Sequence, residues 1–374
     1  MVGLLDSLNN NSLLSDKLST FFEICNSRFE FLDRISVAIY DERRGNFKTL
    51  LDTEAGLPVM SNYEVGSDFA PSLMAIANQQ TARVVDDLCG SYSAQSPHGG
   101  KIVSAGYRSS YTLPMILDER LYGFIFFNSR RTSQFTPTVL QDLEPLAHLL
   151  SMTVISDLRS ARTLSGAVSS LRKILALRDY ETGTHLERMS DISLIIGREL
   201  AAAHNLTDEF LEFLFRFSPM HDIGKITVPD RILLKPGALD ADEWEVMRRH
   251  ASNGLRLVDS ILCELELERM AGVDVLRNIV QYHHENFDGS GYPFGLAGAD
   301  IPIEARIVAT ADRFDALTSP RLYKRTWSNE EAFKFLLCEA GAALDRECVN
   351  ALIVRRSDVE AAQLRARESD DPFE

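Results

Sequence analysis

The 374-residue sequence has few cysteines, no long apolar run and no excess of positive charge. Its five cysteines (Cys25, Cys89, Cys263, Cys338 and Cys348) are odd in number and never fall in a Cys-x-x-Cys spacing. This argues against a disulfide framework or a thiolate zinc site and predicts buried free thiols in a reducing compartment. No uninterrupted apolar run approaches the roughly 20 residues of a membrane span. The opening Met1-Val2-Gly3-Leu4-Leu5-Asp6 has neither a basic nor an apolar signal region. A cytoplasmic protein without a membrane partner is expected. Lys and Arg number 39 against 54 Asp and Glu, a net charge of −15. That balance argues against nucleic-acid polymers and anionic lipid surfaces as partners. A small anionic ligand stays open, because bound divalent cations can reverse the local field.

What remains is ordinary globular usage, 45% hydrophobic and 25% charged, in a chain long enough for two domains with separate cores. The first half reads as α/β. Strand-like runs cover 35–40 and 47–51 around a turn at 43–46, with a short strand at 82–86. Residues 111–117 and 122–127 form a hairpin about Asp118-Glu119-Arg120. Thr136 then fits an N-cap and Pro137 the first helical position. From there to about Arg178 the pattern is helical. Leu164, Val168, Leu171 and Leu175 carry the four-three-four spacing of a coiled-coil seam, which suits a parallel dimer. The alternative is a helix packed on its own C-terminal domain.

The second half reads as helices over 190–204, 208–220, 241–250, 254–268, 273–284 and 329–337, with His250 closing its helix. Gly and Pro gather between them. A disordered tail is expected after Arg365. This half holds residues that a plain core would not choose. Glu181 and His185 lie four apart, on one face of a helix. His221-Asp222 ends an apolar run, and His283 continues the apolar stripe Leu276, Ile279, Val280, with His284 beside it. Asp312 follows the apolar residues 307–311, where an unpaired carboxylate would be costly. With His250, these make five imidazoles and three carboxylates, too many for one tetrahedral zinc. Two or three metals of the iron or manganese type suit such mixed nitrogen and oxygen ligands.

His221-Asp222 with Lys225, and the run from His283-His284-Glu285 through Gly289-Ser290-Gly291-Tyr292-Pro293, resemble the two signatures of the HD-GYP phosphodiesterases. These are a branch of the HD metal-dependent phosphohydrolases. The resemblance covers about 174–352 and includes Lys235-Pro236-Gly237, Asp312 to Thr318 and Arg321-Leu322-Tyr323-Lys324. It implies an all-α HD-type domain at 178–355, reached by a connecting helix at 156–177 and followed by a tail at 356–374. It further implies metal ligation by His185, His221, Asp222, His250, His283, His284 and Asp312, with Asp222 bridging. Glu181 resembles the subgroup with three metals, which predicts a trinuclear site; a solvated helix carboxylate is its alternative. Iron is the first expected metal and manganese the second. The implied activity is hydrolysis of cyclic di-GMP to linear pGpG, and on to GMP. Asp222 and Lys225 are then catalytic, Lys225 serving the leaving 3′-oxygen, and Arg321, Lys324, Gly291 and Tyr292 bind substrate. In the family the Gly-Tyr-Pro loop also reaches diguanylate cyclase domains; a purely structural turn explains its glycines equally well. Residues 251–254 and 341–346 depart from the family pattern without touching a ligand.

Residues 1–155 resemble a GAF sensory domain, on the strand pairs above, Val85-Asp86-Asp87-Leu88, Leu121-Tyr122-Gly123-Phe124 and Phe135-Thr136. No cyclic-nucleotide motif of that family is found, and its ligand is left open. The expected architecture is a GAF-like sheet domain, a long connecting helix and an all-α HD-type domain, dimerising through the first two. Two other functions stay open: hydrolysis of a different cyclic dinucleotide, and a catalytically silent module that binds one.

Overall fold

The computed structural model describes residues 12–42, 44–53, 63–91, 97–176, 183–319 and 326–368. The chain divides into two compact units, Met1–Ser160 and Ala161–Glu374.

In the first unit, helix α1 (Leu14–Arg28) precedes strands β1 (Arg34–Asp41), β2 (Asn46–Asp52) and β3 (Glu64–Gly66). Helix α2 (Pro71–Gln79), strand β4 (Arg83–Val85) and helices α3 (Leu88–Ser91) and α4 (Pro97–Ser104) follow, then β5 (Ser109–Leu117) and β6 (Arg120–Ser129). The six strands form one antiparallel sheet in the order β3-β2-β1-β6-β5-β4. Period-two alternation decides its faces. Ile35, Val37 and Ile39 of β1 join Leu18 and Phe21 of α1 in the larger core. The opposite face packs Phe47 and Phe124 against Leu73 and Ile76 of α2. The hairpin turn is tighter than expected. Leu117 pairs with Arg120, so Asp118 and Glu119 alone make the turn, both at positive φ, as a two-residue type I′ connection requires. β3 was not anticipated; three residues are too few to show an alternation.

Helix α5 (Pro137–Ala176) is one element of 40 residues. It starts where Thr136 and Pro137 predicted, and the Thr136 hydroxyl accepts the Val139 amide at 3.4 Å. The coiled-coil seam is corrected. Leu164 and Val168 are fully buried in the core of the second unit, so these seam positions are taken up by the chain itself. An a/d spacing looks the same whichever partner covers it. The side chains of Leu171 and Leu175 lie outside the described residues.

The second unit is helical: α6 (Gly183–His204), α7 (Asp208–Phe217), α8 (Asp230–Leu233), α9 (Ala241–Arg248), α10 (His250–Glu264), α11 (Val273–Tyr282), α12 (Ile303–Thr318), α13 (Asn329–Glu339), α14 (Arg346–Val354) and α15 (Arg356–Glu368). Thr207 caps α7 by accepting the Phe210 amide at 3.1 Å, and Leu211, Leu214 and Phe217 then line its buried face. On α11 the stripe Val273, Leu276, Ile279, Val280 enters the same core. On α12 it is Ile307, Val308, Ala311 and Phe314, each large side chain contributing roughly 1.5–3 kcal/mol by leaving water. These stripes fix which turn of each helix faces the polar cluster below.

Two boundaries move. His250 opens α10 rather than closing α9; Arg249 between them keeps helical dihedrals. The expected tail from 356 begins as α15, because Val359, Ala362 and Ala366 form a buried stripe and Gln363 bonds Thr318 and Asn329. Its high charge hid that stripe in the sequence.

Candidate metal centre and active site

Three helices of the second unit, the turns around His221-Asp222 and the residues after α11 converge on Asp222. His221 and Asp222 sit between the 3-10 turns Ser218–Met220 and Ile223–Thr227. His250 is the first residue of α10, and His283-His284 follow α11 directly. His185 comes from the first turn of α6 and Asp312 from α12.

The tautomers are set from behind. Nδ1 of His221 lies 2.9 Å from the Ser218 carbonyl, that of His250 2.7 Å from Met247, and that of His283 3.0 Å from Ile279. A carbonyl oxygen only accepts, so each Nδ1 carries a hydrogen. In the neutral ring the Nε2 lone pair then points into the cluster, the arrangement of a metal-ligating histidine. His221 Nε2 is 3.2 Å from Asp222 Oδ2 and 3.7 Å from Asp312 Oδ1. His250 Nε2 and His283 Nε2 stand 3.3 and 3.6 Å from Asp222 Oδ1. Two groups of donor atoms result, each within 4.8 Å: Asp222, His250, His283 and His284, and His185, His221 and Asp312.

These residues fit metal ions. Among the described residues, Nε2 of His250 and His283 and Oδ1 of Asp222 are buried without a hydrogen-bond partner. Lone pairs facing one another across 3.3 Å repel, and a buried polar atom left unmatched is costly. Imidazolium does not resolve this for the His283-His284 pair. Burial lowers the pKa of His283, and burial with the neighbouring His283 holds His284 well below the ordinary histidine range. Asp222 is ionised: burial would raise its pKa, but Lys225 and His221 bring it well below the usual carboxylate range. Neutral nitrogens around a carboxylate leave a site for cations.

Lys225 Nζ lies 2.8 Å from Asp222 Oδ2. Gly224 between them has a packing reason. A Cβ there would stand 1.9 Å from the His250 carbonyl oxygen and 2.7 Å from the Gly254 nitrogen. The turn bearing Asp222 thus touches the backbone of α10. The Tyr292 ring stacks on His284 at 4.8 Å between centroids, with Arg248 5.5 Å from the ring centroid. A Cβ on Gly291 would fall 2.1 Å from the Asn286 nitrogen, so the loop closes on itself there. Lys225, Gly291 and Tyr292 are therefore brought beside the seven expected ligands. Glu181, Arg321 and Lys324 lie outside the described residues.

Three residues were missed as site residues. Asp315 accepts His185 Nδ1 at 2.6 Å and Arg188 Nε at 2.5 Å. Arg188 also reaches Ser319 at 2.8 Å. Burial opposes ionisation of Asp315, but the His185 and Arg188 bonds lower its pKa to about 2. The signal was spacing: Asp315 and Arg188 each lie three residues beyond an expected ligand, on the same helix face. Glu285, 3% exposed, accepts the Phe294 and Leu296 amides at 2.7 and 3.1 Å and so ties the glycine loop to the histidine pair. Its position directly after His283-His284 could have drawn notice.

Residues 169–348 match the HD domain family. The chain is similar to the cyclic di-GMP phosphodiesterase response regulator RpfG of Xanthomonas campestris, 41% identical over 212 residues, 57% of this chain and 52% of that protein. It is similar to the cyclic di-GMP phosphodiesterase of Thermotoga maritima, 37% identical over 203 residues, 54% of this chain and 51% of that protein. A third relative, the 3′3′-cGAMP-specific phosphodiesterase 2 of Vibrio cholerae, is 36% identical over 203 residues, 54% of this chain and 36% of that protein. The chain thus spans about half the length of the first two. The chain is also similar to the crystal structure of the GAF domain/HD domain protein from Geobacter sulfurreducens, at 16% identity and a TM-score of 0.33, covering 40% of this chain and 95% of that one. Among the described residues no helix is long and apolar enough to cross a membrane.

Proposed function

We propose that the chain is a metal-dependent phosphodiesterase that opens cyclic di-GMP to linear pGpG and cuts on to GMP. The observation that carries this is the Asp222 cluster, in which buried lone pairs face one another beside a lysine. The names of the relatives at 36–41% identity supply the substrate. Divalent cations, when bound, acidify a water and neutralise phosphate oxygens. Asp222 would be shared between two of them, and His185, His221, His250, His283, His284 and Asp312 would be their other ligands, with Glu181 a ligand to a third. Iron is the preferred metal and manganese the second. Water oxygen bonds to phosphorus as its proton passes to solvent, the bond to the 3′-oxygen breaks, and the Lys225 ammonium gives that oxygen its proton. Arg321 and Lys324 grip the phosphate, a guanidinium fork and a point charge suiting a phosphodiester. Gly291 and Tyr292 wall the site. The sheet domain, read as GAF-like, regulates turnover, and the Gly-Tyr-Pro loop offers a surface to diguanylate cyclase domains in the cytoplasm.

A second reading has its own support: 3′3′-cGAMP is named in three relatives at 29–36% identity. One experiment separates the two. Anaerobically purified, iron-loaded protein is incubated with each dinucleotide, with His221→Ala and Asp222→Ala as controls. Linear pGpG from cyclic di-GMP, absent in both controls, is the expected result. Preferential cleavage of 3′3′-cGAMP would replace the first reading by the second, and no cleavage in protein shown to hold metal would overturn both.

A further inference from the structure

Beside the metal centre stands a cation that the protein's own acids leave free. Arg248 is the last residue of α9, two positions before His250. Its Cζ lies 5.5 Å from the centroid of the Tyr292 ring. The same ring stacks on His284 at 4.8 Å and meets His250 edge-on at 6.3 Å. Tyr292 therefore joins the guanidinium to two of the expected metal ligands.

The neighbouring cations are committed. Lys225 pairs with Asp222 at 2.8 Å, Arg249 faces Glu245 at 3.6 Å, and Lys235 bonds Glu243. Arg248 is exposed and, among the described residues, has no carboxylate or carbonyl partner. This holds in a chain where 54 acidic groups outnumber 39 basic ones.

A basic side chain in the last turn of a helix is ordinary. That does not account for a guanidinium laid on an aromatic ring beside a metal cluster. Stacking occupies the flat face of the group and leaves its edge, with its N–H donors, open. The long side chain is also placed before a ligand arrives, so less rotamer freedom is lost on binding. These are the properties of a preformed phosphate fork.

A cyclic dinucleotide carries two phosphodiester groups. One goes to the metals with Lys225, Arg321 and Lys324 in the reading above. The other stays charged and loses part of its hydration at the same mouth, which is costly unless a cation meets it. We propose that Arg248 receives this second phosphate, an assignment that rests on the phosphodiesterase reading for the identity of its ligand. When linear pGpG presents its remaining diester to the metals, its 5′-phosphate takes that place.

The test compares pGpG with GpG, which lacks the 5′-phosphate. Each carries a methylene in place of the bridging 3′-oxygen, so that it binds without being cut. Both are titrated calorimetrically into anaerobic, iron-loaded full chain, wild type and Arg248→Ala. Wild type should bind the phosphorylated analogue about tenfold tighter or more, the effect of one charge-assisted fork. In Arg248→Ala that preference should fall to about twofold or less with affinity for the GpG analogue retained, and Arg248→Lys should keep part of it. An arginine that only fastens the Tyr292 loop would lower both affinities together and leave their ratio unchanged. That result, or a wild type that does not distinguish the analogues, would overturn the proposal. Turnover of cyclic di-GMP in the same preparations separates the two readings. Cleavage by wild type with an unchanged ratio in the variant strikes the role of Arg248 alone. No cleavage and no binding of either analogue strikes the phosphodiesterase reading along with it.

Discussion

At the metal centre of the helical unit four histidines are each aimed by a hydrogen bond from behind; on the sheet of the other unit the buried polar groups include hydroxyls that nothing aims among the described residues. Nδ1 of His221, His250 and His283 is tied to a backbone carbonyl one turn back, and His185 is tied to Asp315. Among the described residues, Ser36 and Thr112 have no such support. Pre-aimed groups suit a centre whose geometry must not vary, because misplacing a ligand by a fraction of an ångström changes its chemistry.

That contrast can be broken, starting with the largest effect. Asp222→Asn removes the charge at the centre of the cluster, and activity should fall by at least about 10³-fold. Metal content per chain, measured by atomic emission, should fall with it; full metal occupancy would contradict the assigned role. Gly224→Ala puts a Cβ 1.9 Å from the His250 carbonyl. Backbone must then move, at a cost of about 3 kcal/mol or more, and thermal unfolding should show a clear drop together with weaker metal binding. Asp315→Asn should weaken metal binding by about 10–100-fold, read by metal titration, whereas a residue that only filled space would leave the affinity unchanged.

Asp315 also predicts a pH window for the metal-free protein. Its folded pKa is about 2 against an ordinary 3.8. A depressed carboxyl contributes stability that is fully present above about pH 4 and lost as pH falls through 2. The contribution is about 2 kcal/mol. Wild type and Asp315→Asn should therefore differ in unfolding free energy at pH 6 and converge near pH 2. The smallest effect belongs to the sheet. Ser36→Ala removes a hydroxyl with no partner, so it should change stability by less than about 0.5 kcal/mol in unliganded protein. A large loss there would mean that the hydroxyl has a structural duty after all.

How much of this was legible depended on how rare the signal was. His221-Asp222 and His283-His284 stood out because imidazoles beside apolar runs have few structural reasons. Asp315 and Arg188 were harder to see, since a buried ion pair needs its partner helix before it can be recognised: α6 supplies Arg188 and α12 supplies Asp315. Glu285 reads as an ordinary acid until the amides of Phe294 and Leu296 are placed against it. In the sheet unit the longer strands were plain from β-branched and aromatic runs, while β3, a three-residue edge, was not. The hydroxyls of Ser36 and Thr112 gave no signal at all, because serine and threonine are common on both faces of a strand. Leu164 and Val168 were seen as buried, but their spacing carries no information on whose core receives them.

The contact of Gly224 with the start of α10 has one more consequence. The two segments that carry Asp222 and His250 meet main chain to main chain, with Gly254 completing the contact. Their separation is thus written into a main-chain contact rather than into the packing of large side chains. His283 and His284 project instead from beyond the end of α11, next to a loop that Glu285 holds by two amides. The centre therefore has one jaw that is fixed and one that is mounted. A larger or smaller ion would be met by a shift of the segment after α11 as a whole, while the distance from Asp222 to His250 stayed constant.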